Sequence, residues 1–77
     1  MNHTNLARLH EGQQAWVTEI EEDGAMGRRL RDMGLVRGTR VECLQKSPFG
    51  DPAAYLIRGA VIALRREDGS RVLVDVR

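Results

Sequence analysis

The second half of the chain is a run of short segments in which every other residue is apolar. This alternation has the period of a β-strand with one buried face, and the glycines that separate the segments suit tight turns. A turn at Arg37-Gly38 opens the run, Gly59 divides it, and Asp68-Gly69 is typical of a two-residue hairpin. Strands in hairpin-like succession within 77 residues leave exposed edges unless the sheet curls on itself. The pattern therefore favours a small β-barrel.

A further strand is predicted earlier in the chain, in the segment AWVTEI. Ala15 and Val17 share one face of this strand, but Ile20 falls on the opposite face. If Ile20 is buried as well, the strand needs one extra residue to bring it back into phase, so we predict a β-bulge near Thr18 or Glu19.

One short helix is predicted between this strand and the rest, in the segment GAMGRRLRDMGL. Met26, Leu30 and Met33 recur at helical spacing and form one apolar stripe. Gly34 stands where a left-handed residue would end the helix, and Leu35 can supply the hydrophobic contact that accompanies such an ending.

These patterns together predict one domain over residues 1–77, mostly β, with five strands and a short helix inserted after the first strand. Residues 1–5 are polar and are expected to be frayed. A core of apolar side chains follows from the strand alternation and the helical stripe. Its predicted members are Val17, Leu30, Val41, Cys43, Ile57, Ile62, Leu64, Val72 and Val74.

The loop SPFGDP, residues 47–52, contains the single phenylalanine of the chain. Pro48 and Pro52 lack the N–H that a regular strand or helix requires. Phe49 either folds back over the core or is presented to a partner by the stiff loop. Tyr55 is predicted to face inward and could provide a resting place for the ring, whereas Leu56 is predicted to face outward.

The chemistry-bearing residues do not form a recognisable catalytic or metal motif, so we predict neither an enzyme nor a cofactor. His3 and His10 have no metal-ligand spacing with each other or with Cys43, and a zinc site normally needs three or four ligands. Cys43 is predicted to be a buried apolar residue. A single cysteine excludes an intrachain disulfide framework and favours the cytoplasm. No apolar run approaches the roughly 20 residues that a membrane span needs.

Charge also bears on the class of partner. The net charge is +1, with acids and bases interspersed, which disfavours a nucleic-acid binder. Arg28, Arg29 and Arg31 form a basic cluster on the predicted helix. They are either a solvated helix face or a patch that meets phosphate or an acidic partner.

From Arg28 to Pro52 the chain closely resembles the FeoA family, the small cytosolic components of bacterial ferrous iron uptake. Each shared piece is short, but their order and spacing make a specific signal that spans the chain from about Leu6 to Val76. The matching pieces are Leu30 to Leu35, Gly38, Val41 to Leu44, Pro48 to Pro52, Gly59 and Ile62 to Arg65.

The resemblance implies an SH3-like β-barrel without enzymatic activity. It also implies a partner, the FeoB-type membrane iron transporter, which has a cytosolic GTP-binding domain. The expected function is that of a cytosolic interaction module that binds and modulates this transporter, and it is compatible with weak self-association. The alternative is a metal-responsive module that binds a divalent transition metal directly, as in the C-terminal domains of metal-dependent repressors.

SH3-like folds commonly dock partners against aromatic residues in loops, which by analogy suggests a partner surface beside Phe49. Leu44 and Leu56 are expected to contribute apolar area to that surface. The helix arginines are expected to steer an acidic region of the partner toward it. The predicted partner-binding residues are therefore Phe49, Leu44, Leu56, Arg28, Arg29 and Arg31.

Overall fold

A computed structural model describes residues 2–21 and 24–76. The strands are β1 (Asn2–Asn5), β2 (Gln14–Ile20), β3 (Arg40–Lys46), β4 (Ala53–Ile57), β5 (Ala60–Leu64) and β6 (Val72–Val76). Two helices lie between them, α1 (Gly24–Asp32) and the short α2 (Arg66–Gly69), and a single 3-10 turn spans Leu6–Arg8. The six strands form one antiparallel sheet in the order β1-β6-β2-β3-β4-β5. The mostly β architecture with a helix after β2 agrees with the prediction.

The N-terminal segment differs from the prediction, because residues 2–5 are not frayed. They form β1, which pairs with β6 from Asn2 opposite Val76 to Asn5 opposite Leu73. The described sheet therefore has six strands where the sequence predicted five. The side chains of β1 are exposed or half-buried, so this strand is held mainly by its backbone pairing.

The predicted hairpin turn at Asp68-Gly69 is also wrong. This segment belongs to α2, and β6 pairs with β1 and β2 on the far side of the sheet from β5. Gly69 packs closely against the 3-10 turn, since a Cβ at this position would lie 3.4 Å from the backbone nitrogen of Ala7, in van der Waals contact with it. Strands β4 and β5 do form a tight hairpin, and both residues of its turn, Arg58 and Gly59, have positive φ as a type I′ turn requires.

The predicted bulge in β2 is confirmed, since the pairing with β6 shifts between Val17 and Glu19. The shift lets Val17 and Ile20 both pack on the core side. Thr18, at the bulge, donates its hydroxyl to the carbonyl oxygen of Leu73 at 3.2 Å.

Helix α1 ends as its sequence predicts. Gly34 has a φ of 102°, its N–H donates to the Arg31 carbonyl, and the Leu35 N–H donates to the Leu30 carbonyl. These are the two hydrogen bonds of a Schellman motif. Leu30 and Leu35 are both fully buried, so the ending of the helix also anchors its apolar side in the core.

The core is confirmed at eight of its nine predicted positions, and the ninth, Ile62, is half-buried and packs against it. The structure adds residues that the sequence analysis did not place in the core. Among them, Leu6 and Leu9 flank the 3-10 turn and are fully buried. The buried Tyr55 hydroxyl donates to the Leu6 carbonyl oxygen at 3.2 Å, which ties this turn to β4.

Candidate partner-binding surface

The loop between β3 and β4 holds Phe49 away from the protein. Its backbone is closed by hydrogen bonds from the Gly50 N–H to the Ser47 carbonyl at 2.7 Å and from the Ser47 N–H to the Pro52 carbonyl at 3.2 Å. A carboxylate oxygen of Asp51 accepts the backbone N–H of Arg66 at 2.8 Å. Phe49 itself is 93% exposed. The loop is therefore internally bonded and tied to α2, while its aromatic ring stays in solvent.

The exposure of Phe49 rules out one of the two predicted roles. Phe49 does not fold back over the core, and Tyr55, although it faces inward as predicted, offers its ring no resting place. Tyr55 is directed instead toward Leu6. Presentation of the ring to a partner stays a prediction.

Leu44 and Leu56 lie on the outward-facing side of strands β3 to β5, as predicted. The pairing of β3 with β4 shifts between Cys43 and Gln45, so Leu44 occupies a second bulge that the sequence analysis did not predict. In β4, Leu56 alternates with the buried Tyr55 and Ile57. We call this side of the three strands the outer face; its apolar residues are Leu44, Ala54, Leu56, Val61 and Ala63.

Val61 is the large apolar residue of the outer face that the sequence analysis missed, along with the small Ala54 and Ala63. It is 67% exposed and lies directly opposite Leu56 in the β4–β5 pair. The signal was present in the sequence, because a strand that turns Leu64 inward must turn Val61 outward. The outer face therefore continues from β4 onto β5.

The helix arginines are exposed, but they are not drawn to the Phe49 loop. The carbonyl of Gly34, which follows α1, accepts the Arg58 Nε–H at 3.3 Å. Arg58 lies at the end of β4 opposite to the Phe49 loop, so the C-terminal end of the helix is a strand length away from that loop. Nothing in the described residues joins Arg28, Arg29 or Arg31 to Phe49.

The arginine that contacts the loop is Arg66, which the sequence analysis did not single out. Besides its backbone bond to Asp51, its guanidinium lies 3.0 Å from the position that a Cβ at Gly50 would take. Arg65 and Arg66, with Asp51, also line an open cavity of about 510 Å³ beside the loop. The basic charge next to Phe49 thus comes from the β5–α2 junction rather than from α1.

Cys43 and His3, two of the candidate ligand residues, take part in the packing and pairing of the strands. Cys43 is fully buried as predicted, and burial raises the pKa of its thiol. The His3 imidazole lies against the Asp75 carboxylate between β1 and β6. Within residues 2–21 and 24–76, no three histidine, cysteine or acidic side chains are grouped closely enough to hold a metal ion.

We expect no stoichiometric ferrous iron site of micromolar or better affinity, because a stable transition-metal site needs three or four convergent ligands. Calorimetry with ferrous iron under anaerobic conditions measures this directly. His3→Ala is the matched control for adventitious binding at the His3–Asp75 pair. A stoichiometric heat with a micromolar dissociation constant would contradict the expectation and bring the metal-responsive alternative forward.

The fold and this surface define a class of protein, a small antiparallel β domain with a short inserted helix and apolar side chains exposed on one face of its sheet. The FeoA domain family matches residues 4–76. The chain therefore belongs to the FeoA domain family. No helix among the described residues has the length and apolar character to cross a membrane.

Three similar proteins illustrate this membership. The Fe(2+) transport protein A/Fe(2+) transporter FeoB fusion protein of Porphyromonas gingivalis is 35% identical over 71 residues, which are 92% of this chain but 8% of that protein. The FeoA protein of Chlorobium tepidum has 34% identity and a TM-score of 0.87, over 95% of this chain and 70% of that one. The FeoA of Stenotrophomonas maltophilia, solved with zinc and described as an SH3 domain protein, has 32% identity and a TM-score of 0.84, over 94% and 89% of the two chains. The fold is accordingly SH3-like.

Proposed function

We propose that this protein is a cytosolic accessory component of ferrous iron uptake that binds and modulates a FeoB-type membrane iron transporter through its GTP-binding domain. The main support for the proposal comes from one relative, in which a domain similar to this chain belongs to the same polypeptide as FeoB. Domains that are fused in one protein and separate in another commonly act together.

The binding surface in this proposal consists of the Phe49 loop and the outer face, including Leu44 and Leu56. An exposed aromatic ring on a stiff loop loses little conformational entropy when it is buried in a partner. The arginines of α1, Arg28, Arg29 and Arg31, act at longer range by steering an acidic partner, since charges influence association over about 10 Å at moderate salt. Arg65 and Arg66 act beside the loop itself.

The test of the proposed function is capture of the transporter's cytosolic GTP-binding domain by this protein, with and without guanine nucleotide. We expect retention that depends on the nucleotide state, because a modulator must distinguish the states that it modulates. If this protein retains the GTP-binding domain neither with nor without guanine nucleotide, the transporter is rejected as the partner.

Phe49→Ala should abolish most of this binding while leaving stability unchanged. The ring is almost fully exposed, so its removal should change the free energy of unfolding by no more than about 0.5 kcal/mol, whereas loss of a buried aromatic anchor at an interface costs about 2 kcal/mol or more. Thermal unfolding and a titration with the GTP-binding domain measure the two effects. Val36→Ala, at an exposed apolar residue just beyond α1, is the control.

The opposite result has a clear meaning. If Phe49→Ala lowers the melting temperature and the folded fraction binds normally, the loop serves the fold and the surface beside it is not the interface.

A further inference from the structure

Strand β5 is the last strand of the sheet, and one of its edges is unpaired within the described residues. In a hairpin with a two-residue turn, the pair that flanks the turn, here Ile57 and Ala60, is hydrogen-bonded, and bonded and non-bonded pairs then alternate. Val61 and Ala63 consequently belong to non-bonded pairs and direct their N–H and C=O groups away from β4. The free edge of β5 therefore presents four unpaired backbone groups, namely the N–H and C=O groups of Val61 and Ala63.

This edge lacks the features by which proteins usually protect an unpaired strand. Natural edges carry charged side chains, prolines or bulges that prevent another strand from pairing. The sequence of β5 is Ala-Val-Ile-Ala-Leu, and its pairing with β4 is regular throughout. Val61 and Ala63 also expose their side chains on the outer face, next to Leu56. An added strand would therefore gain both backbone hydrogen bonds and apolar contacts.

Arginines stand at both ends of this edge. Arg58 precedes β5, and Arg65 and Arg66 follow it. At the Arg58 end, a cavity of about 370 Å³ is lined by Arg40, Glu42, Leu56 and Arg58, among others, so it opens beside the outer face. The Arg58 guanidinium itself donates to the Gly34 carbonyl and to the Thr39 hydroxyl. A carboxylate at the other end of an added strand would meet the exposed Arg65 guanidinium, a group that binds carboxylates in a bidentate geometry.

The same charges disfavour a second copy of this chain as the added strand. Antiparallel pairing of two β5 strands about Ile62 would bring the Arg65 and Arg66 end of each copy to the Arg58 turn of the other, so positive charge would gather at both ends of the pair. Like charges brought close together repel one another. The charge pattern thus selects a different protein with acidic residues.

We propose that the free edge of β5 binds an extended segment of a partner protein as an added strand, with apolar side chains on the outer face and an acidic residue at the Arg65 end. The binding chemistry of the edge follows from β5 and its arginines alone. The assignment of the segment to the transporter's cytosolic domain rests on the proposed function.

The first experiment replaces Ala63 with proline and measures binding of the transporter's GTP-binding domain. Proline removes an N–H from the free edge and leaves the β4–β5 hydrogen bonds in place, a position at which edge strands tolerate proline. We expect at least about tenfold weaker binding, because a hydrogen bond is lost and the ring obstructs the added strand. Ala63→Ser keeps the N–H and adds only one hydroxyl to the outer face, so it should weaken binding far less than Ala63→Pro. Thermal unfolding verifies that both variants are folded.

A second variant keeps the test decisive if the proline variant does not fold. Arg65→Glu reverses a charge beside β5, and Arg37→Glu makes the same change at an exposed turn that lines no part of this edge. We expect Arg65→Glu to weaken binding several-fold more than Arg37→Glu, with the difference shrinking at high salt. Equal effects would overturn the proposal.

A synthetic probe separates this proposal from the proposed function. The probe is a capped peptide of about seven residues, enough to span β5, in which valine and threonine alternate between terminal glutamates. We expect the amide signals of Val61 and Ala63 to shift and become protected from exchange on its addition, and a lysine-ended peptide to have no effect. If the peptide binds and the transporter domain does not, the proposed function fails and the edge proposal stands.

The remaining outcomes overturn the edge proposal. If the transporter domain binds wild type and Ala63→Pro equally, the proposed function stands and the partner uses another surface. If neither probe binds, the edge takes no added strand. If the wild type dimerises in light scattering and Ala63→Pro is monomeric, the occupant is a second copy of this chain.

Discussion

Leu64→Ala should lower the free energy of unfolding by about 2–5 kcal/mol, the usual cost of truncating a buried leucine. Leu64 is 5% exposed at the end of β5, opposite the buried Ala53. A domain of this length has a total stability of about 4–12 kcal/mol. The substitution would therefore remove a large share of it, and urea unfolding should show a midpoint shifted strongly to lower concentration.

Val61→Ala is the matched control, since it truncates an apolar side chain of the same strand that points to solvent. Its effect should stay within about 0.5 kcal/mol. An unchanged midpoint for Leu64→Ala, or an equal loss for the two variants, would show that β5 turns its other face to the core. If Leu64→Ala does not fold, Leu64→Val should show the same ordering with a smaller loss.

The faces of the strands could be predicted from the sequence because burial imposes a period of two. Val41 and Cys43 on β3, and Val72 and Val74 on β6, are buried as the alternation requires. The bulge in β2 could be predicted for the same reason, since Val17 and Ile20 reach the core only if an extra residue intervenes. These predictions need no knowledge of which strand lies beside which.

The pairing of the strands could not be predicted so well, because it depends on contacts between residues far apart in sequence. Asp68-Gly69 has the composition of a hairpin turn, but β6 has partners in β1 and β2, and the connecting segment forms α2 against Ala7. Strand β1 was missed because its residues are polar and half-exposed. Its pairing involves mainly backbone groups, which leave no pattern in the side chains.

The candidate surface was predicted in part for similar reasons. Leu44 and Leu56 are outward-facing by alternation, and the composition of the SPFGDP loop indicates a stiff turn around Phe49. Which arginines lie beside the loop depends on the tertiary structure and could not be predicted from the sequence. Arg66 reaches the loop because Asp51 accepts its backbone N–H, a contact over 15 residues that composition and spacing do not reveal.

Stability should also fall steeply in alkaline solution, and Tyr55 should account for most of the fall between pH 10 and pH 12. Burial raises the pKa of Tyr55 to about 12, with smaller contributions from the negative charges of Cys43 and Asp51. Burial likewise raises the pKa of Cys43. In the unfolded chain these groups ionise near pH 10 and pH 9, so between those values and the folded pKa values the unfolded state binds fewer protons than the folded state.

Because each folded pKa lies above the unfolded one, the stability is fully present below about pH 9 and is lost as the pH rises. A difference of about two pKa units at Tyr55 corresponds to roughly 3 kcal/mol. Urea unfolding of the wild type under reducing conditions, repeated from pH 8 to pH 12, should show this loss. Tyr55→Phe removes the hydrogen bond to Leu6, so below pH 10 its free energy of unfolding should be about 1 kcal/mol lower than that of the wild type. Above pH 10 the variant should lack the loss of stability that ionisation of Tyr55 causes.

The slope with pH, rather than the absolute stability, therefore identifies the group responsible. The curve of Tyr55→Phe should be flatter than that of the wild type from pH 10 upward and should cross it near pH 11, where the wild type has lost about as much as the missing hydrogen bond contributes. Cys43→Ala should instead flatten the earlier part of the decline, which starts near pH 9. Parallel curves for the wild type and Tyr55→Phe would mean that the Tyr55 hydroxyl ionises as readily in the folded protein as in the unfolded chain, and that the bond to Leu6 does not hold its proton.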